Sequence, residues 1–591
     1  MIQNDEAIVA EYVGNDTNVT IPSTIELNGR IYKVTAIGEY AFANFTSLTN
    51  IIIPNSVITI GKFAFAGCAL LDISLPKCVT KIEFGAFYYC TSLTSIYIPS
   101  SVATIGESAF YGCTSLENVY YEGTIKDWCN ITFSNEYSNP MCYANHFYML
   151  NNNEYEEVAS IEIPNMVTNI GKYQFLGFNN VTSITIPNDL DEIGEGAFAG
   201  CKSLTNITLP SSVTTIGEYA FAGCESLTSI TIPGSVTTIG EGAFAGCESL
   251  TNITLPSSVT TIGEYAFAGC ESLTNITILG SVTTIGYGAF AGCTSLEKIT
   301  LPFVGGSKDN NTYLGYIFGA TSYSDNSKYV PSSLKEIIIL EGCTSIKDYA
   351  FSGCKSLASI IIPNSVTTIG KGAFFECHSL IIHCEATSQQ SGWDSVWNPD
   401  SRPVYYGITK DNKVEKDGII YVIRNNEAIV TRYVGNATNV TIPSTIELNG
   451  KTYKVTKIGE YAFSNCKSLT SITLPSSVTT IGNHAFTGCT SLTSVTIPSS
   501  ITTIEYGTFQ GCTSLTSITI PNSVKTIGNY AFYNCTSLTS ITIPSCVTTI
   551  GNHAFLYCSS LTIHCEATSK PSGWSSSWNP DNRPVVWGYK D

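Results

Sequence analysis

Positive charge is scarce in this chain. Of 591 residues only 29 are lysine or arginine, against 47 aspartates and glutamates, for a formal net charge of −18 and a pI near 4.8. Binding to nucleic acid rests on clustered basic side chains that meet phosphates, so this balance excludes it, and it argues equally against an anionic membrane surface. Long apolar runs are absent as well, so no segment can be expected to insert in a bilayer. The opening residues, "MIQNDEAIVAEYVGND", show neither a basic stretch nor an apolar core of a secretion signal, and "RPVVWGYKD" at the other end shows no anchor. Also missing are the glycine-rich phosphate loops, HExxH, GxSxG and EF-hand patterns, and any C-x2–4-C spacing for zinc. No catalytic residue, cofactor or metal set is therefore expected.

What the chain has instead is repetition. The element IGxxAFxxC or a near relative begins at Ile37, Ile60, Ile82, Ile105, Ile170, Ile193, Ile216, Ile239, Ile262, Ile285, Ile346, Ile369, Ile458, Ile481, Ile504, Ile527 and Ile550. Within each uninterrupted block the step is 23 residues, apart from one step of 22. Residues 199–221 and 245–267 differ only at Lys202 against Glu248, which points to duplication of a two-turn unit. In "LTNITLP", Ile207 and Leu209 alternate with Asn206 and Thr208. This is a short half-buried strand, stopped by Pro210, which has no N–H for a ladder. "SVTTIG" is a second β-like run, and "EYAFAGC" (218–224) suits one or two helical turns with Ala220, Phe221 and Cys224 inward. A unit of this size cannot bury its own apolar face, whereas stacked units can. The fold class is therefore a repeat solenoid of parallel strand ladders with short helical turns.

Stacking also explains the cysteines. Fifteen of the 22 occupy the ninth repeat position, and in two further turns that slot holds Phe45 and Phe178. A slot that accepts phenylalanine is a packing position, and a free thiol behaves as a small hydrophobe. Of the seven outside the slot, Cys129, Cys142, Cys384 and Cys565 among them could pair locally.

Two larger copies frame the chain. Residues 426–463 match 5–42, and 563–588 match 382–407, so these read as N- and C-terminal caps of two arrays, 1–408 and 409–591. The second N-cap is preceded by "DGIIYVI" (417–423), and the first lacks it, so the chain is expected to start inside a longer protein. The polar stretch 408–418 reads as linker or cap start. Segments 119–160 and 303–335 interrupt the first array. Each is either a binding loop, removable without loss of the fold, or a degenerate turn that keeps stacking.

The unit IGEYAFAGCESLTNITLPSSVTT is similar to the BspA-like leucine-rich repeat, a family of surface proteins of anaerobic bacteria and some mucosal protists. The resemblance covers nearly all of the chain. It implies a right-handed solenoid with a concave strand sheet, and an extracellular or cell-surface role in adhesion to host or microbial proteins or glycans. The missing signal and anchor depart from that pattern.

The remaining candidates are few. Residues of the His383–Cys384 and His564–Cys565 pairs point to opposite strand faces and read as structural, and His484 and His553 are expected exposed and inert. Trp393 with Trp397, and Trp574 with Trp578, are spaced i,i+4; such pairs can stack on sugars, but on a short helix they more often cover a core end, and cap packing is the preferred reading. A surface is left. Asn206, Thr208, Asn252 and Thr254 begin rows of short polar side chains on the strand face, which can hold a protein or glycan through many weak contacts or can simply be exposed strand residues. Specificity is then expected at Tyr120, Tyr121, Trp128, Tyr313, Tyr316 and Tyr323 in the two insertions. The function expected is a non-catalytic interaction scaffold. The alternatives are a structural spacer or surface-layer module, then a carbohydrate-active enzyme, with ice binding disfavoured by the mixture of Ser, Asn and Thr. Oligomeric state is left open.

Overall fold

The computed structural model describes residues 1–308, 312–409 and 412–590. Asp309–Asn311 of the second insertion and Lys410 and Asp411 of the polar stretch lie outside the described residues. The chain divides into two compact units. One comprises Met1–Leu357, Ser365–His378 and Ser391–Asp400, and the other Ala358–Asn364, Ser379–Gln390 and Ser401–Asp591.

In the first unit a regular turn contributes one rung to each of three ladders. The first is the strand slot, where Asn206–Thr208, Ser229–Thr231, Asn252–Thr254, Asn275–Thr277 and Lys298–Leu301 run parallel and in register. The second is a two-residue strand, Thr215 over Thr238 over Thr261 over Thr284. The third is made by alternate peptides of the AFxxC segment. Tyr219, Phe221 and Gly223 donate their N–H groups to Glu241, Ala243 and Ala245 of the next turn at 2.7–2.8 Å. The intervening N–H groups close short turns, Ala222 to Tyr219 and Cys224 to Phe221. A helix directs all its N–H groups one way, along its own axis. Here every second one is turned toward the next repeat, with φ of +55° at Tyr219 and +70° at Gly223. The stretch expected as helical is thus a chain of turns, although Ala220, Phe221 and Cys224 do face inward as expected. Among the described residues the α-helices are Ile125–Cys129 and Asn326–Tyr329.

Side chains of one kind pile into columns beneath these ladders. Phe198, Phe221, Phe244, Phe267 and Phe290 stack with centroids 5.3–5.5 Å apart and planes within 15° of parallel. Each ring is fully buried, which contributes about 1.5–3 kcal/mol by transfer alone. All 22 cysteines are free thiols, and fourteen of the fifteen in the repeat slot are buried, Cys466 being half-exposed. The slot is more than apolar filling. Cys224, Cys247 and Cys270 donate S–H to the carbonyls of Phe198, Phe221 and Phe244, each at 3.3 Å, so the thiol satisfies a carbonyl of the turn before. Burial pushes Cys201, Cys247 and Cys293 up to about 12.

One slot on the turn side explains the two-turn unit. The fourth repeat position always has positive φ, and from Tyr173 to Gly288 it alternates between tyrosine and glycine. Each tyrosine ring lies over the glycine of the next turn. A Cβ on Gly288 would sit 2.6 Å from Tyr265 Cε1, and one on Gly242 would meet the Tyr219 ring. The tyrosine hydroxyl then donates to the glutamate beside that glycine, Tyr173 to Glu195 and Tyr219 to Glu241. Glycine serves here both for its left-handed backbone and for its missing side chain.

Both insertions keep the core going. In the first, Asn118–Tyr121 extends the strand slot in register with Ser95–Ile98, Thr132–Phe133 extends the second ladder, and His146–Asn151 adds another rung. That rung then folds back antiparallel as Glu154–Glu157 through Asn152 and Asn153, both at positive φ. This hairpin closes one sheet, and the next begins at Ser160–Glu162. In place of the ladders, the joint is bridged by side chains. Trp128 donates to the Gln174 carbonyl at 2.7 Å, Gln174 donates back to the Trp128 carbonyl, and Phe147 packs on Phe178 at 4.7 Å. In the second insertion Phe303, Val304, Leu314, Ile317 and Phe318 are buried, and Glu336–Ile339 pairs with Lys298–Leu301. Neither segment is a detachable loop, so removal of 303–335 would open the core.

The caps use larger residues in the same slots. Trp393 pairs with Ile369 on a strand, and Trp397 lies edge-on under Phe374 at 5.7 Å, so the i,i+4 pair fills the isoleucine and phenylalanine columns and is not helical. Trp574 and Trp578 repeat the arrangement in the second unit, where Trp578 closes the column on Phe555. In that unit Ile419–Arg424, Glu427–Tyr433 and Lys451–Ile458 build the N-terminal sheet ahead of the regular turns. There the fourth slot stacks Tyr461 on His484 at 4.7 Å, and His484 lies edge-on to Tyr506, of the third position in the next turn, at 4.9 Å. His484 is therefore half-buried, and burial, with Arg402 nearby, lowers its pKa. His383, in the first C-cap, is fully buried with Nδ1 3.3 Å from Ser359 Oγ.

Candidate interaction face

The strand slot presents a regular surface of the first unit. Along it, buried Ile207, Ile230, Ile253 and Ile276 are flanked by outward side chains. Asn206, Thr208, Asn252 and Thr254 are exposed there, as expected from the alternation. Their neighbours are tied down. Thr228, Thr251 and Thr274 donate their hydroxyls to the threonine carbonyl one turn back at 3.3–3.5 Å, while Asn252 and Asn275 donate their amides to Thr251 and Thr274. The polar rows are thus partly satisfied by their own backbone, and what they offer a ligand is uniform from turn to turn.

The same face changes character toward the first insertion. In the slot held by Thr208, the turns before the hairpin hold Tyr97, Tyr120 and Tyr148, brought into register by strand pairing. Tyr97 stacks on Tyr120 at 4.4 Å and 9°, and Tyr120 on Tyr148 at 4.8 Å and 16°. The hairpin carries Tyr155 across them, edge-on to Tyr120 at 5.0 Å and to Tyr97 at 5.7 Å. All four are half-buried. Burial raises the pKa of each of Tyr97, Tyr148 and Tyr155, for Tyr155 to about 12, with carboxylates adding to the effect: Asp72 at Tyr97, Glu157 and Glu117 at Tyr148, and Glu122 at Tyr155. At neutral pH these phenols are protonated donors. His146, in the adjoining slot, contacts Glu157 at 2.7 Å, and Asn180 donates to the same carboxylate.

Of the aromatics expected to carry specificity, Tyr120 is thus part of a surface cluster. Tyr121 and Trp128 are 0% exposed: Tyr121 points inward because it is one residue on from Tyr120 in a strand, and Trp128 is the buried centre of the joint. They are core residues and present nothing to a ligand. Tyr313 and Tyr316 are half-buried on the turn side, where Tyr316 meets Tyr287 at 5.6 Å, and Tyr323 is 45% exposed and stacked on Tyr349 at 4.7 Å. The structure does not bring these three to the strand face. Tyr97 lies outside both insertions, and Tyr148 and Tyr155 lie within the first without having been singled out there. Their signal is positional, since "SIYIP" and "NVYY" put tyrosine in the slot that "NITLP" gives to threonine.

Open clefts lie elsewhere among the described residues. One of about 530 Å³ lies among Tyr265, Tyr287, Phe318 and Tyr329, and one of about 500 Å³ runs along Lys126–Phe133 and Met166–Gln174. The third, of about 490 Å³, belongs to the second unit and holds Tyr405, Glu460, Asn483 and Glu505. Burial and the neighbouring Glu460 raise the pKa of Glu505.

In-register strand slots, buried columns and capped ends define a leucine-rich-repeat solenoid. The chain belongs to the BspA type leucine rich repeat family, whose region matches in six copies over residues 17–139, 150–270, 214–313, 321–391 and 433–564. Among solved structures it is similar to a leucine rich cell surface protein from Faecalibacterium prausnitzii, at 23% identity over 100% of this chain and 96% of that one, with a TM-score of 0.27. A leucine-rich repeat protein from Bacteroides ovatus is 22% identical over 96% of each chain, with a TM-score of 0.30. The pneumococcal vaccine antigen PcpA is 15% identical over 99% of this chain and 92% of its own, with a TM-score of 0.27. No curated protein matches.

Proposed function

We propose that this chain is a non-catalytic interaction scaffold, cell-surface or secreted, that binds a protein or glycan of a host or microbial surface through its strand face. The observation that carries this reading is the change along that face. A long row of short polar side chains, partly satisfied by their own backbone, leads to a cluster of four tyrosines at a sheet end. A face of this kind gathers many weak contacts around a few aromatic anchors, as interfaces with hot spots do. Membership of a family with neighbours described as cell-surface proteins supports the location. Among the described residues no helix is long and apolar enough to cross a membrane.

The regular turns favour a second reading, a spacer or surface-layer module, because their uniform rows discriminate little between ligands. The test is capture by the full chain of ligands from a glycan array, a panel of extracellular host proteins, and whole bacterial and epithelial cells. Thr208→Glu with Thr254→Glu, and Tyr120→Ala, are compared with Lys202→Glu on the turn side. At least tenfold weaker capture by the strand-face variants alone supports the scaffold. Equal capture by all variants, or none by the parent chain, leaves the spacer.

A further inference from the structure

We infer that the Tyr97, Tyr120, Tyr148 and Tyr155 cluster takes an extended peptide segment bearing lysine or arginine. This rests on the scaffold reading and names the chemistry of the partner.

The first argument is which part of each ring is free. A sugar stacks its C–H face on an open aromatic face, but Tyr120 has both faces covered, by Tyr97 and by Tyr148. Tyr155 stands edge-on against Tyr97 and Tyr120. The cluster therefore offers ring edges and protonated hydroxyls more than open faces. Phenol hydroxyls suit peptide carbonyls and side-chain donors, and tyrosine ordered in a stack pays little entropy when a ligand docks on it.

The second argument is charge. The rungs of this sheet, Asp72–Ser74, Ser95–Ile98, Asn118–Tyr121, His146–Asn151 and Glu154–Glu157, contain Asp72, Glu154, Glu156 and Glu157 and neither lysine nor arginine. Glu117 and Glu122 flank the third of them, and Asp72, Glu117, Glu122 and Glu157 are the carboxylates that act on the tyrosines. A net charge of −18 on the whole chain adds long-range attraction for a basic partner. An aromatic centre inside an acidic rim selects a cationic segment over a neutral glycan or an acidic peptide. Extended backbone suits it because Tyr155 of the hairpin strand Glu154–Glu157 bounds the cluster on one side and the stacked rings follow the line of the strand ladder, one rung apart.

The test uses the full chain and fluorescence anisotropy with three labelled probes: an alternating arginine–serine octapeptide, the same peptide with glutamate for arginine, and a neutral β-linked oligosaccharide. The arginine peptide is expected to bind and the other two are not. Raising sodium chloride from 0.15 to 0.5 M is expected to weaken it about fivefold or more, as screening shortens the reach of the rim. Asp72→Lys with Glu117→Lys, both exposed, is expected to weaken it about tenfold, and Tyr120→Ala by a similar factor. Glu248→Lys with Glu271→Lys makes the same charge change on the turn side and is expected to leave binding unaltered. Tyr120→Phe keeps the stack and separates loss of the hydroxyl from loss of structure. Equal binding by the two charge-reversed variants overturns the inference, as does binding of the oligosaccharide instead of the peptide, or of no probe. If the strand-face variants still lose capture of a surface ligand while the peptide fails, the scaffold stands and only this partner chemistry falls.

Discussion

Between Asn206 and Leu301 each turn copies its neighbour, whereas between Asn118 and Glu157 no turn copies another, and a continuous core runs beneath both. In the regular block, ladders and columns act together, so a residue's surroundings are its own copies one rung up and one rung down. In the irregular segment the ladders stop at the hairpin, and Trp128, Phe147 and Phe178 carry the core across. The outward slot changes there from threonine to tyrosine. The comparison shows that this architecture tolerates chemical novelty outward at any rung, but pays for a break in its ladders with large aromatic side chains.

The two regions should fail differently. Phe221→Ala removes a ring stacked on both sides and is expected to cost about 3–5 kcal/mol. Because turns touch mainly their neighbours, the loss should show as local melting in hydrogen exchange around residues 198–244. Phe147→Ala is expected to cost a similar amount, but at a place with no ladder to hold the halves together, so its denaturant transition should split in two. A single shifted transition for Phe147→Ala would mean that the joint is no weaker than the regular block.

Alkaline pH probes the regular block next. Thiols such as Cys201, Cys247 and Cys293 are raised by burial to about 12, whereas an unfolded thiol ionises near 8.5. Their contribution to stability is whole below about pH 8.5 and declines as pH rises toward 12, because the unfolded chain then releases protons that the folded chain retains. Circular dichroism against pH should show unfolding in that window, shifted upward in Cys247→Ala. At pH 8, iodoacetamide should reach exposed Cys78 readily and the buried column only on unfolding.

Gly242→Ala is a smaller disturbance, expected at about 1–2 kcal/mol, since φ there is +55° and the new methyl meets Tyr219. Tyr219→Ala should relieve the collision, so the double variant should lose less than the sum, and strict additivity would deny the contact. Thr254→Ala lies at the end of the scale, within about 0.5 kcal/mol by thermal melt, because the side chain is exposed and outside any column.

Much of this was legible in the residues because stacking makes position equal environment. Phe45 and Phe178 in the thiol slot told that it packs inward, and the alternation of Asn206, Ile207 and Thr208 told which side chains face out. What stayed hidden depends on backbone angles and on neighbours one turn away. AFxxC looks helical until Tyr219 and Gly223 are seen at positive φ. Trp393 and Trp397 look like a helical pair until the strand places one in each of two columns. Tyr121 and Trp128 sit in a polar, tyrosine-rich stretch that resembles a loop, yet a single-residue step from Tyr120 turns Tyr121 into the core. His484 shares its slot with tyrosines, and only the stack reveals that the slot is half-buried.

The tyrosine that shelters the glycine of its successor sets a rule for how such a block can lengthen or shorten. Loss or gain of a single 23-residue turn within 173–288 would set two glycines side by side, the second with no ring over it, or would stack one tyrosine on another as Tyr461 stacks on His484. Gain or loss of two turns leaves each ring over a glycine, as Tyr173, Tyr219 and Tyr265 lie over Gly196, Gly242 and Gly288. Recombination in even numbers therefore keeps the alternation intact, and the near-identity of 199–221 and 245–267, two turns apart, fits such an event.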